Sequence, residues 1–228
     1  MLFLFLLGAA PVTAPAASGT VDWSAGAVTV TARSQAQTGA WRDRRLQEQD
    51  ALDHLQPLVT AALESLCVSK GVTGEDLLAR PGEIGAALTA GVRGWEVAET
   101  RYFEKGGVEI DARIELAKWL GPVRSKSPVA TAGLIVDARG LDVSPCAYPL
   151  VGPAGQALWS VSDDALSLPA LYVSDPQDPR VAARVGANAV TVRATAASEG
   201  TFTIDAAAAA TIDAKATASR VLVVVVDP

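Results

Sequence analysis

The chain has 228 residues and a mass of 23.5 kDa, with 19 Lys and Arg against 25 Asp and Glu, for a formal net charge of −6. Hydrophobic residues make up 50% and aromatic ones only 5%, which describes an ordered core of Ala, Val and Leu and excludes a disordered chain. An acidic chain repels phosphate backbones and anionic headgroups, and its densest cationic stretch, Arg42-Asp43-Arg44-Arg45, carries its own acid, so nucleic acid is not an expected partner.

The first ten residues, MLFLFLLGAA, are almost wholly apolar, and small residues and prolines follow. Ala14-Pro15-Ala16 fits a small-x-small cleavage site, with Ala17 as a second choice, so residues 1–17 read as a signal peptide that stays outside the fold. Pro11 and Pro15 interrupt the run well short of the ~20 apolar residues a membrane span needs. No integral span is expected after cleavage. No Cys follows the run, so no acyl anchor is expected either.

Residues 19–122 read as one small domain. Val28 to Ala32 alternates and is β-branched, as a strand requires. From Trp41 onward Leu52, Leu55, Val59, Ala62, Leu63 and Leu66 recur at intervals of three and four, the stripe of an amphipathic helix. Pro57 falls inside it and is expected to kink or split the helix. Gly74 to Gly91 reads as a short helical or irregular crossover. Val92–Phe103 and Val108–Leu116 read as two strands joined by the Gly-rich turn Glu104-Lys105-Gly106-Gly107. The expected order is β-α-β-β, a sheet with one long helix on it.

Residues 123–132 read as a linker, beginning with the polar stretch bracketed by Pro122 and Pro128. Residues 133–228 read as a second small domain with a mixed α/β sheet, making the whole an α+β protein. Its centre is Gly133 to Pro145, GLIVDARGLDVSP. A buried strand runs out into a turn with Asp137, Arg139 and Gly140 at its mouth. Tyr148–Val151 and Gln156–Ser160 read as short strands around a Gly/Pro turn, and Val181–Val185 as one or two helical turns. Ala189–Thr195 and Phe202–Asp205 read as strands. Ala206–Ala218 reads as a helix capped by Asp205. Val221–Val226 is continuously apolar and β-branched, a strand buried on both faces.

The sequence marks no catalytic centre. His54, the only histidine, lies beside Asp53 with no marked partners for a metal site or a nucleophile relay, and the helix-surface reading is preferred. Asp163-Asp164 and Asp175 with Asp178 lack the spacing and terminal Glu of a calcium loop and read as solvated turns. Asp137 and Arg139, two apart at a strand end, read as a structural pair or a clamp on the turn beside them. Gly140 is expected to hold a positive-φ turn. Trp41, ahead of the Arg42–Arg45 segment, is a candidate interface anchor, whereas Trp23, Trp95, Trp119 and Trp159 read mainly as core. Cys67 and Cys146 can bridge the two domains in an oxidising compartment or stay as two buried thiols. No catalytic, cofactor or metal residue is assigned, and no cofactor is expected.

GLIVDARGL, then Pro145, Pro149-Leu150-Val151, Gly155 and Trp159, resembles the second-domain signature of FlgT-like flagellar assembly proteins, which are related to Helicobacter-type envelope lipoproteins. Arg184 to Ala194 and the closing Val-rich strand extend the resemblance. In the first domain it extends over Leu46 to Leu63, Gly94 to Val97 and Tyr102 to Ile110. It implies a non-enzymatic protein of the periplasm, working as an assembly or scaffolding module on envelope or flagellar basal-body proteins. Self-association stays open. The alternative is a periplasmic ligand-binding protein or an unrecognised hydrolase.

Overall fold

The structure is a computed structural model and describes residues 13–16, 19–34, 43–104, 106–123, 133–154, 168–186, 188–216 and 222–228. The first part is a five-stranded antiparallel sheet of β1 (Thr13–Ala16), β2 (Gly19–Asp22), β3 (Ala27–Arg33), β6 (Glu96–Tyr102) and β7 (Val108–Glu115), in the order β1-β2-β3-β7-β6. In β7, Val108, Ile110, Ala112 and Ile114 are buried, while the residues between them are half-buried or exposed. The alternation read from the sequence is therefore the alternation of the sheet.

Helix α1 (Arg44–Glu64) lies over β3 and β7 and buries Ala51, Leu55, Val59, Ala62 and Leu63. Each buried Leu or Val there contributes about 1.5–3 kcal/mol. The side chain of Asp43 accepts from Leu46 N at 3.2 Å and caps the helix start. Pro57 does not split this helix, contrary to expectation: α1 runs unbroken through it. Pro57 is exposed, so its ring and the backbone carbonyl it frees face solvent. Leu55 and Val59, on either side of it, anchor both halves of the helix to one sheet.

Beyond α1 the chain makes a small hairpin, β4 (Cys67–Ser69) and β5 (Val72–Thr73), and then two short helices, α2 (Gly74–Leu78) and α3 (Glu83–Gly91). Thr73 and Asp76 form a reciprocal capping box at the start of α2, the device that makes this crossover helical. The turn before β7 takes its shape from Gly106 and Gly107, at φ 89° and 105°. After β7 come α4 (Leu116–Trp119) and a single 3-10 turn, Gly121–Val123. The rest of the expected linker lies outside the described residues.

The second part is a mixed six-stranded sheet with the order β10-β13-β8-β11-β12-β9. Its strands are β8 (Leu134–Asp137), β9 (Leu150–Gly152), β10 (Leu171–Val173), β11 (Val190–Ser198), β12 (Thr201–Ile204) and β13 (Leu222–Val225). All neighbours are parallel except β11 and β12. As expected, β13 is buried throughout and interior, between β10 and β8. Val223 and Val225 pack with Val181 and Val185 of α5 (Pro179–Val185), while Leu222 and Val224 join the main core. Asp205 caps α6 (Ala206–Ala216), accepting from Ala208 N at 2.6 Å.

Two further expectations meet a different outcome or none. Thr13–Ala16, assigned to the cleaved segment, pairs antiparallel with β2, Pro15 opposite Thr20. An edge strand accommodates Pro because one side of it needs no ladder donor. The strand expected over Gln156–Ser160, together with Gly155, Trp159, Asp163 and Asp164, lies outside the described residues.

The main hydrophobic core takes residues from both parts of the chain, from Val28 and Ile110 to Tyr172 and Val224. At the seam the rings of Trp23 and Tyr172 meet edge to face, centroids 5.6 Å apart. Ala147 N donates to Cys67 O at 3.0 Å and Tyr148 N to Val68 O at 2.7 Å. Cys67 and Cys146 form a disulfide, with Cα atoms 4.7 Å apart. Of the two readings the sequence left open, the bridge is the one realised.

Gly200 closes over the bridge at φ 68°, and a Cβ added there would lie 2.6 Å from Cys146 Sγ. Gly200→Ala is accordingly expected to destabilise the protein by about 1–3 kcal/mol, from strain at positive φ together with the clash. A denaturant titration of oxidised protein reads this directly.

Candidate functional site

Asp137 ends β8, and the register places it opposite Arg193 of β11 and Val225 of β13. It therefore stands at the carboxyl ends of three parallel strands, where open α/β sheets place their ligands. Asp137 Oδ1 accepts from Arg139 N at 3.2 Å and Nε at 2.9 Å, and Oδ2 from Arg139 Nη2 at 2.7 Å. Arg193 Nη1 approaches Oδ2 at 3.4 Å, and Arg193 Nη2 donates to Arg139 O at 3.1 Å. Gly140, at φ 83°, donates its N–H to Asp227 Oδ2 at 2.7 Å.

Two carboxylates and two guanidiniums thus close one network around the turn. The sequence singled out Asp137, Arg139 and Gly140, and all three are in it. It missed Arg193 and Asp227, which only the parallel pairing brings near.

The network fixes protonation. Hydrogen bonds from Arg139, more than its charge, hold Asp137 at about 2, below the ordinary 3.8. Asp137 thereby contributes stability that is complete above pH 3.8 and is lost as pH falls through 2. Full linkage would be worth ~2.4 kcal/mol, and the exposure of both arginines cuts this to about 1 kcal/mol. Asp137→Asn should therefore be about 1 kcal/mol less stable than wild type near pH 7, with the gap closing toward pH 2. Parallel thermal melts across that range check both the sign and the window. A carboxylate held ionised in this way is a poor general acid and a weak base at neutral pH.

Gly140 can be tested apart from packing, because nothing lies within 4 Å of a Cβ built there. Gly140→Val is expected to cost about 1–3 kcal/mol and Gly140→Asn much less, because the penalty is that of a branched residue at positive φ. Equal stability of the two variants would remove the backbone explanation.

The other sequence candidates take structural roles or lie outside the described residues. Trp41 is among the latter. His54 is exposed on α1, and its Nδ1 donates to Asp50 O at 2.6 Å. Asp178 caps α5 through Arg180 N at 2.8 Å and pairs with Arg180 Nη2 at 2.6 Å. Asp175 accepts from Gln177 N at 2.8 Å and shapes the turn before it. Trp23 and Trp119 are buried and Trp95 packs against the core. Among the described residues no three His, Cys, Asp or Glu side chains group as a metal site would require, and no helix is long and apolar enough to cross a membrane.

A pocket of about 540 Å³ opens at the seam, between Trp23–Gly26, Glu115, Pro169–Leu171 and the α5 arginines 180 and 184. Its polar groups are largely engaged. Arg180 Nη1 donates to Ser24 O at 2.6 Å while Nε and Nη2 hold Asp178, and Arg184 Nη2 donates to Pro169 O. The Trp23 indole N–H is buried and accessible to neither solvent nor pocket contents.

Fold and site together describe a disulfide-bridged α+β protein whose charged cluster at the carboxyl ends of β8, β11 and β13 is closed on itself. Comparison with family models gave no match, and neither did comparison with the curated proteins.

Proposed function

We propose that the chain is a non-enzymatic module of the bacterial envelope that acts in the periplasm, as an assembly or scaffolding part, by contact with other envelope proteins. The observation that carries this reading is the Asp137–Arg139–Arg193–Asp227 network. At the position where a parallel sheet offers a ligand site, each carboxylate is engaged by a guanidinium or a backbone N–H. Asp137, held ionised by Arg139, is not poised to exchange a proton near neutral pH. The Cys67–Cys146 disulfide is consistent with an oxidising compartment outside the cytoplasm, and the apolar N-terminal segment supplies a route there. An association with flagella rests on the resemblance of GLIVDARGL and its companion segments alone. Cleavage after Ala16 or Ala17 would remove β1 and leave β2 at the sheet edge.

Fractionation of the native cell, with antibody detection in the soluble periplasm, membranes and purified basal bodies, tests this reading. Co-purification with basal bodies or another envelope complex is the expected result. A wholly soluble, monodisperse periplasmic protein would overturn the scaffold role. The second reading, a ligand-binding protein or hydrolase, draws on the seam pocket, and a ligand screen in which Arg184→Ala abolishes a hit would favour it.

A further inference from the structure

The two sulfurs of the Cys67–Cys146 bridge stand in different surroundings. Cys67 opens β4 and is half-buried, with exposed Ser65 and Lys70 close on either side of it in the chain. Cys146 is 1% exposed, and Ala147, Tyr148 and Pro149 after it are buried too. Its backbone is clamped from both sides, N donating to the Tyr172 hydroxyl and O accepting from it.

The turn between β11 and β12 covers the Cys146 end of the bridge. Ser198 pairs with Thr201, and Glu199 and Gly200 between them turn the chain at φ 23° and 68°. A Cβ built on Gly200 would have Cys146 Sγ, Cys146 Cβ and Lys70 N as its nearest neighbours, at 2.6, 3.2 and 3.4 Å. No Cys67 atom is among them. Gly200 is itself buried, and its carbonyl accepts from Leu150 N at 2.8 Å, which pins the turn to the start of β9.

Thiol–disulfide exchange begins when a thiolate attacks one sulfur and expels the other. Attack on Cys146 Sγ needs the incoming sulfur to stand where Gly200 and the buried residues 147–149 exclude it. Attack on Cys67 Sγ starts from a residue that solvent already reaches. We propose that Cys67 is the single entry point through which this bridge exchanges with small thiols and disulfides, and that Cys146 is the buried sulfur that leaves and returns. In reduction the incoming thiolate bonds to Cys67 Sγ, the S–S bond breaks, and its electron pair leaves on Cys146 Sγ. A second thiolate attacks the incoming sulfur of that mixed disulfide and releases Cys67. Two thiols end as one disulfide, and the two cysteines take up their protons. Formation is the same path reversed, with Cys67 attacking a small disulfide and Cys146 displacing the thiolate left on Cys67 Sγ. The expelled Cys146 thiolate sits among apolar neighbours, where a charge is costly, and this returns it to Cys67 before the second thiol arrives. The bridge therefore recloses far more often than it is lost.

This assignment is independent of the scaffold reading, and single-cysteine variants of the full chain test it. Cys146→Ala leaves Cys67 as the one thiol, and Cys67→Ala leaves Cys146. Each is held reduced, exposed to glutathione disulfide in native buffer and followed by mass. Cys67 should be glutathionylated roughly a hundredfold faster than Cys146, because access and thiolate formation set the rate. In concentrated urea the two rates should come together, which assigns the difference to the fold. Oxidised wild type supplies a second measurement that needs no variant to fold. Held in reduced glutathione, quenched with acid and digested, it should carry the glutathione adduct on the Cys67 peptide.

Equal native rates, a faster Cys146, or a Cys67 thiol inert in native buffer would overturn the assignment. So would an adduct on Cys146, on both cysteines alike, or on neither. None of these results bears on co-purification with an envelope complex.

Discussion

Replacing Cys67 and Cys146 together by alanine should lower the thermal midpoint of the oxidised protein by roughly 8–16 °C. The bridge closes a loop with a sequence separation of 79. In the chain-entropy account a loop of that length, kept closed in the unfolded state, is worth about 4 kcal/mol. The native geometry should survive its removal. The backbone bonds from Ala147 to Cys67 and from Tyr148 to Val68 lie beside the bridge and do not depend on it. Alanine is the right replacement because Cys146 is buried among apolar neighbours, where a serine hydroxyl would add a desolvation cost of its own. Calorimetry of oxidised wild type, reduced wild type and the double variant should give one high midpoint and two similar low ones. A double variant melting within a few degrees of oxidised wild type would mean that the unfolded chain is not restrained by this loop.

Truncation of Tyr172 is expected to have the other large effect, and it can be divided in two. The ring is fully buried and meets Trp23 across the seam. The hydroxyl accepts from Cys146 N at 3.0 Å and donates to Cys146 O at 2.9 Å. Burial drives this hydroxyl well above the ordinary tyrosine range, with its bond to Cys146 opposing, so it stays protonated and able to donate at any working pH. Tyr172→Phe keeps the ring and leaves two buried backbone groups without partners, a loss of about 1–3 kcal/mol. Tyr172→Ala also opens a cavity between the two parts of the chain and should cost about 3–5 kcal/mol. Urea titrations of both variants separate the terms. If Phe costs as much as Ala, the hydrogen bonds dominate the seam; if Phe is neutral, the ring alone holds it.

Much of this architecture was legible in the sequence where burial follows a period. Val108 to Glu115 alternates strictly and is a strand with one wet face. The Leu52–Leu63 stripe is the buried face of α1. The unbroken valines near the C-terminus form a strand covered on both sides. Short elements escaped because three or four residues carry no period. Leu171–Val173 becomes a strand only through β13, and Gly19–Asp22 only through its pairing with β1 and β3. Pro57 misled because proline's penalty depends on which face it occupies. For the charged cluster, the local trio Asp137, Arg139 and Gly140 was visible as a turn. Arg193 and Asp227 reach it through strand pairing across long stretches of chain, which no local spacing encodes. The disulfide was undecidable for the same reason.

The placement of β13 has a kinetic consequence. In the second sheet β8 and β10 are not neighbours; each pairs with β13, which follows both in the chain. Until that last strand inserts, each presents an unsatisfied parallel edge rich in Leu, Ile and Val. Non-local parallel pairing is slow, because long loops must close before any contact rewards them. The first sheet can form without β13, so the nascent second sheet spends that interval as an open, aggregation-prone half. The interval between exposure of Leu134 and insertion of Val225 is therefore the expected window for aggregation, and a chaperone that covers β8 would act within it.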